Sequence, residues 1–171
     1  MYKDASELMS QCKEQDKRIW QIAVENEMKL TSSSYEDILS RFDDRLEIMF
    51  HSAQKALNAK QATKGGLIDG VAKTQYDYSK KENISGEYIN YVMSLAYSCS
   101  EVNASMGKIC ASPTAGSCGI VPAVLLGLSQ AKNISREKTL EGLITASAVG
   151  AIYTKNATVA GADGGCQAEC G

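Results

Sequence analysis

Apolar residues recur every three or four positions through the first third of the chain. Leu8, Cys12, Ile19, Ile22, Ala23 and Leu30 form one series; Ile38, Leu39, Phe42, Leu46, Met49, Phe50, Ala53 and Leu57 form the next. A repeat near the helical period marks a helix with one buried face. Two helices are predicted from it. The first starts near Asp4, with Glu7 in the capping-box position, and the second starts at Ser34-Tyr-Glu-Asp37 by the same signal. All fourteen glycines and both prolines lie at or beyond residue 65, so nothing interrupts these helices. Residues 1–64 are read as an N-terminal pair of antiparallel helices with polar outer faces.

The pattern changes after residue 64. KGGLIDGVAK (64–73) is a glycine-rich turn, open to a close approach by a ligand or to a plain surface-loop role. Residues 85–107 predict a third helix, capped by Ser85 and stopped by Gly107. Gly119 to Leu128 reads as a buried helix with Pro122 in its first turn. Ser135 caps a fifth helix running to about Tyr153. Its small residues, Gly142, Ala146, Ala148, Gly150 and Ala151, call for another helix packed closely against it. No strand-like alternation is present, so the fold class is all-α, a helical domain with two glycine-rich loops.

Those loops are ICASPTAGSCG (109–119) and KNATVAGADGGCQAECG (155–171). In the first, an apolar helix follows directly, and the free N–H groups of its first turn suit an anion. Ser112, Thr114 and Ser117 add hydroxyl donors. The lysine of a phosphate-binding loop is missing, so a carboxylate is the better fit, against the alternative of an ordinary capped loop. Cys118 stands where a helix start would activate a thiol, yet a small buried hydrophobe is the usual fate of such a residue. His51, the single histidine, lies inside the second helix and reads as structural or solvated. Cys166 and Cys170 would share one face of a helix, or share a metal in a loop, or give one thiolate to an iron–sulfur cluster. The chain stops inside this glycine-rich segment, which reads as a domain continued elsewhere.

Composition narrows the partners. The net charge of −2 and an aromatic content of 6% leave no case for nucleic acid. The uncharged run from Ile109 to Ala131 is broken by Pro113 and Pro122, which argues against a membrane span. The N-terminus is polar, so a cytoplasmic protein with reduced thiols is expected.

Taken together, NASMGKICASPTAGSCGIVPAVLLGL (103–128) and KNATVAGADGGCQAECG (155–171) resemble the two signature segments of the iron–sulfur-dependent L-serine dehydratase alpha chain. The leading helices and SEVNASMG fit the same family. The 64–73 turn departs from it, with Ile68-Asp69-Gly70-Val71-Ala72 where the family usually shows Gly-Gly-acidic-Ala. The resemblance implies that the two glycine-rich loops are active-site loops, and that residues 65–171 are the N-terminal part of a catalytic domain carrying a [4Fe–4S] cluster. It implies Cys166 as one cluster ligand, with the other two in later segments, and a packing role for Cys170. It implies β-elimination of water from L-serine to give pyruvate and ammonia.

On that resemblance the substrate carboxylate falls to Ser112, Thr114, Ala115, Gly116 and Ser117. Asn156 and Asn103 would orient substrate or backbone, with a helix-cap role as the alternative for Asn156. A beta chain would supply the base that no residue here provides, in a hetero- or homo-oligomer. No lysine lies in a Ser-x-Lys setting, so pyridoxal phosphate is not expected. The alternatives are an L-cysteine desulfidase-type lyase and an inactive cluster-less unit serving assembly or binding. The isolated chain is expected to hold no intact cluster.

Overall fold

In a computed structural model, which describes residues 2–158, the described residues are all helical, with seven α-helices and no strand. They are α1 (Ala5–Glu14), α2 (Ile19–Thr31), α3 (Tyr35–Lys55), α4 (Val71–Ser79), α5 (Glu87–Ala104), α6 (Ile120–Lys132) and α7 (Arg136–Asn156). Local capping chemistry fixes several starts. Asp4 accepts from the Glu7 amide at 2.9 Å while Glu7 accepts from the Lys3 amide. Ser34 and Asp37 cap each other reciprocally at α3, and Ser135 accepts from the Lys138 amide at α7.

Three expectations are corrected. The first apolar series belongs to two helices, because the chain turns at Asp16, in the left-handed region with φ 50°. There the Lys17 amide returns to the Cys12 carbonyl at 2.9 Å, a helix-ending bond. The N-terminal part is therefore three helices and not a pair. Second, α4 forms directly after the glycine turn, where the sequence pattern predicts only a turn. It is held by tertiary contacts, with the Tyr76 ring 5.9 Å from that of Tyr91 on α5 and Gln75 donating to Asn90 at 2.7 Å. Third, α5 starts one residue later than expected, with Gly86 (φ 79°) and not Ser85 at its cap.

The core is shared among these helices. Ala53, Ala56, Leu95, Cys99, Cys118 and Ala123 pack at the meeting of α3, α5 and α6. Leu46, Met49 and Leu143 join α3 to α7, and Val24, Ile38 and Ile144 join α2, α3 and α7. A buried polar seam runs beside them. Ser98 donates to the Ser52 carbonyl at 2.7 Å and accepts from the Ala56 amide at 2.9 Å, so the free carbonyl and amide near the end of α3 are satisfied by α5. No described helix is long and apolar enough to cross a membrane.

Candidate functional site

The 109–119 loop leaves α5 through Gly107 and re-enters the core at Ser117, Cys118 and Gly119, all buried. Its shape is set mostly from within. The Ser117 hydroxyl donates to the Ser112 carbonyl at 2.8 Å, accepts from the Thr114 amide at 3.3 Å, and lies 3.2 Å from the Thr114 hydroxyl. The Ser112 amide donates to the Thr114 carbonyl at 3.1 Å, and the Ser112–Pro113 peptide is cis. Ser117 is therefore the pin beneath the loop. Ala115 and Gly116 are exposed above it, and Ser112 and Thr114 are half-buried at its side. From outside, Asn103 on the last turn of α5 donates through Nδ2 to the Ala115 carbonyl at 3.0 Å.

Gly119 starts α6 with no side-chain cap hydrogen bond. A Cβ there would stand 2.6 Å from the Ala96 carbonyl of α5, so only glycine lets the two backbones meet. Directly before it, Cys118 is buried against α5. Burial pushes its thiol up from the usual range, and Sγ reaches only the Cys99 carbonyl at 4.0 Å. Cys118 is thus a core residue and not an activated nucleophile. His51 sits on the exposed face of α3.

The second turn is held by a residue that the sequence pattern does not single out. Glu101 is fully buried, and its carboxylate accepts from the Gln61 and Gly70 amides at 2.8 Å each and from the Ala72 amide at 3.1 Å. The Lys64 amide adds a bond to the Ala104 carbonyl at 2.9 Å. Inside the turn, Asp69 accepts from the Thr63 amide at 2.9 Å and from its hydroxyl, and these bonds hold the Asp69 carboxyl below its usual range. Gly70, at φ 78°, caps α4 in a conformation that favours glycine. The Ile-Asp-Gly sequence thus makes a well-bonded turn.

A groove of about 890 Å³ opens between α3, α7 and the start of the 109–119 loop. Cys110, Ala111, Ser112 and Pro113 form one wall, and Ala146, Ser147, Gly150, Tyr153 and Thr154 of α7 form another. Arg41 and Arg45 of α3 line it, with the Arg45 guanidinium 5.6 Å from the Phe42 ring centre. Among the described residues neither arginine is part of an ion pair. The small residues of α7 meet α6 at Gly142, where a Cβ would stand 3.1 Å from Leu125, but a Cβ at Gly150 would meet nothing within 4 Å. Farther along α7 the neighbour is α2, with Ala148 buried in one cluster with Ile22, so close neighbours are found in both halves and Gly150 faces the groove.

Of the site residues expected from sequence, the structure joins Ser112, Thr114, Ala115, Gly116, Ser117 and Asn103 in one loop assembly. Asn156 donates to the Ile152 carbonyl of its own helix at 2.8 Å. Cys166, Cys170 and the GGCQAE stretch lie outside the described residues. Among those described, no three His, Cys, Asp or Glu side chains gather as a metal site. Cys12, Cys99 and Cys118 are committed to the core, and Cys110 is the one described thiol that lines the groove. The arginines are easily overlooked in sequence because they fall on the polar face of an amphipathic helix. Their spacing of four places both on one side of α3, a signal that is legible.

Comparison with known proteins places this loop and groove in a family setting. Residues 14–171 match the family model described as the serine dehydratase alpha chain. The L-serine dehydratase alpha chain of Peptoniphilus asaccharolyticus is 41% identical over the whole of this chain, which spans 59% of that relative. The probable L-serine dehydratase alpha chain of Bacillus subtilis is 37% identical over the whole chain, spanning 57% of it. L-serine dehydratase 1 of Escherichia coli is 30% identical over 99% of the chain, spanning 38% of it. No solved structure matches. The chain thus spans less than three-fifths of these relatives, and it belongs to the serine dehydratase alpha-chain family.

Proposed function

We propose that this chain is the alpha-chain portion of an L-serine dehydratase, a lyase that eliminates water across the Cα–Cβ bond of L-serine and releases pyruvate and ammonia. The observation that carries the reading is the meeting, in a protein of this family, of the 109–119 loop with two arginines free of ion pairs across one groove. A free amino acid brings a carboxylate that must be neutralised as it leaves water. Arg41 and Arg45 supply the cationic groups of the groove, whose lining also includes Glu27. Of the loop residues expected to hold the carboxylate, Ser112 lines this groove and supplies a hydroxyl donor, while Thr114, Ala115 and Gly116 continue the loop just beyond its lining. Ser117 and Asn103 brace the loop so that only a small adjustment is needed to meet a bound carboxylate, which favours orientation of the Cα–H and Cβ–OH bonds for elimination. Asn156 would act from the end of α7, the helix that forms the opposite wall.

The base that removes the Cα proton is assigned to a beta chain, because no described histidine faces the groove. A [4Fe–4S] cluster with Cys166 among its ligands belongs to the proposal and rests on the sequence resemblance; when bound, it would assist departure of the substrate hydroxyl as a Lewis acid. Pyridoxal phosphate has no part in it. A reducing, cytoplasmic setting goes with the reading.

The test is anaerobic reconstitution with iron and sulfide, followed by pyruvate assay on L-serine and sulfide assay on L-cysteine. It is run on the chain in a complete alpha chain with its beta partner. Pyruvate from serine, lost on Cys166→Ser and retained on Cys12→Ser, is expected. Sulfide from cysteine without turnover of serine would replace the reading by a desulfidase. Iron-independent pyruvate would overturn the cluster assignment.

A further inference from the structure

The loop side of α5 and α6 is accounted for by the groove, but their outer side is not. Ile89, Met93 and Tyr97 on α5, and Ile120, Val124 and Leu128 on α6, are each between 37% and 50% exposed. Each trio is spaced by four, so each is a stripe along one helix face. The helices run antiparallel: Gly119 lies against Ala96, Gly127 against Val92, and Gln130 accepts from the Tyr91 hydroxyl at 2.7 Å. The stripes stand one residue beyond these contact positions on both helices, a rotation of about 100°. On antiparallel right-handed helices that rotation turns both stripes to the same side of the pair. The six side chains therefore make one continuous apolar face.

That face carries almost no charge. Besides the buried Glu101, the only charged residues of α5 and α6 are Glu87 and Lys132, and antiparallel packing puts both at the same end. A sequence reading of 119–128 as a buried helix is met on three sides by α3, α5 and α7, while the fourth stays open. Contiguous apolar faces of this kind are rarely left to water in a soluble protein, and near absence of charge marks permanent rather than transient contacts.

We propose that this face is the seat of the part of the alpha chain that lies outside the matched portion. The Peptoniphilus asaccharolyticus and Bacillus subtilis alpha chains both carry such polypeptide, since this chain spans only 59% and 57% of them. The occupant is a segment with its own apolar stripe, packed on α5 and α6 as a third helix packs on a pair. The inference concerns packing and stands apart from the assignment of the reaction.

The experiment reads thiol labelling. Met93→Cys and Val124→Cys are introduced singly, with Asn58→Cys, at an exposed position elsewhere, as control, and maleimide labelling at each site is followed by peptide mass spectrometry. The variants are compared in this 171-residue chain and in a composite where it replaces the matched portion of the Peptoniphilus asaccharolyticus alpha chain. Labelling at 93 and 124 is expected to be about tenfold or more slower in the composite, at every protein concentration, with the control unchanged. Equal labelling in both would overturn the proposal. Protection in the short chain that strengthens with concentration would assign the face to a second copy, and protection appearing only with the beta chain would assign it to that partner; either result overturns it. If circular dichroism shows that the composite does not fold, the two aligned positions are labelled in the intact Peptoniphilus asaccharolyticus alpha chain, where fast labelling overturns the proposal in the same way and slow labelling supports it.

Discussion

Two loops meet at the end of α5, and they are held in opposite ways. The 59–72 turn is fastened by a buried charge, with Glu101 taking three backbone amides. The 109–119 loop is fastened by neutral groups, its own Ser117 and one amide from Asn103. The two outside residues stand two positions apart on one helix turn, one pointing inward and the other toward the loop. A buried carboxylate bonded to three amides fixes a turn as framework. A loop braced by single hydroxyl and amide bonds keeps Ala115 and Gly116 exposed and able to adjust to a ligand.

The largest effect should come from breaking the framework side. Glu101→Ala leaves three amide donors without a partner in a dry site, and a loss of about 3 kcal/mol or more in denaturant unfolding is expected. A loss below about 1 kcal/mol, on the order of an ordinary surface change, would mean that the carboxylate is not a fastener. Next comes the joint between the loops and the core. Gly119→Ala puts a methyl 2.6 Å from the Ala96 carbonyl and should cost about 1–3 kcal/mol, read as a lowered melting temperature. Asn103→Ala removes one bond at a half-exposed site and should cost about 1 kcal/mol or less. Its effect on turnover of L-serine by the complete enzyme should fall mainly on KM, since the loop must then be ordered by the substrate.

The smallest effect at neutral pH concerns the core thiols. Burial pushes Cys99 up to about 12, against a usual value of 9.0, with a partial offset from the Ser52 hydroxyl at 3.5 Å. In the unfolded chain this thiol ionises near its usual value and in the folded chain it does not. The unfolded state then binds fewer protons, so stability falls as pH rises between these values and is unaffected below them. Urea unfolding at several alkaline pH values should show that fall, and Cys99→Ala should flatten it. An unchanged slope would remove Cys99 from the account.

Much of this is legible in the sequence where the deciding physics is local. The starts of α3 and α7 are readable from Ser34 and Ser135, because a cap bonds only to its own helix. The core fate of Cys118 is readable from its apolar company. What the sequence hides depends on partners far along the chain. Glu101 reads as one more polar residue in a helix until the 61–72 backbone is folded over it. The nine residues of α4 make a helix because Tyr76 and Gln75 find Tyr91 and Asn90. The break at Asp16 is masked because the apolar period happens to continue across it. The exposed stripes of α5 and α6 look like core in sequence, and among the described residues nothing covers them.

The most direct test of the comparison is amide hydrogen exchange of the wild-type chain, Glu101→Ala and Asn103→Ala. Glu101→Ala is expected to speed exchange over 61–72 and leave 112–117 near wild type, and Asn103→Ala to do the reverse. Equal loosening of both segments by either substitution would contradict it, because the two loops would then be one cooperative unit and not a framework turn beside an adjustable loop.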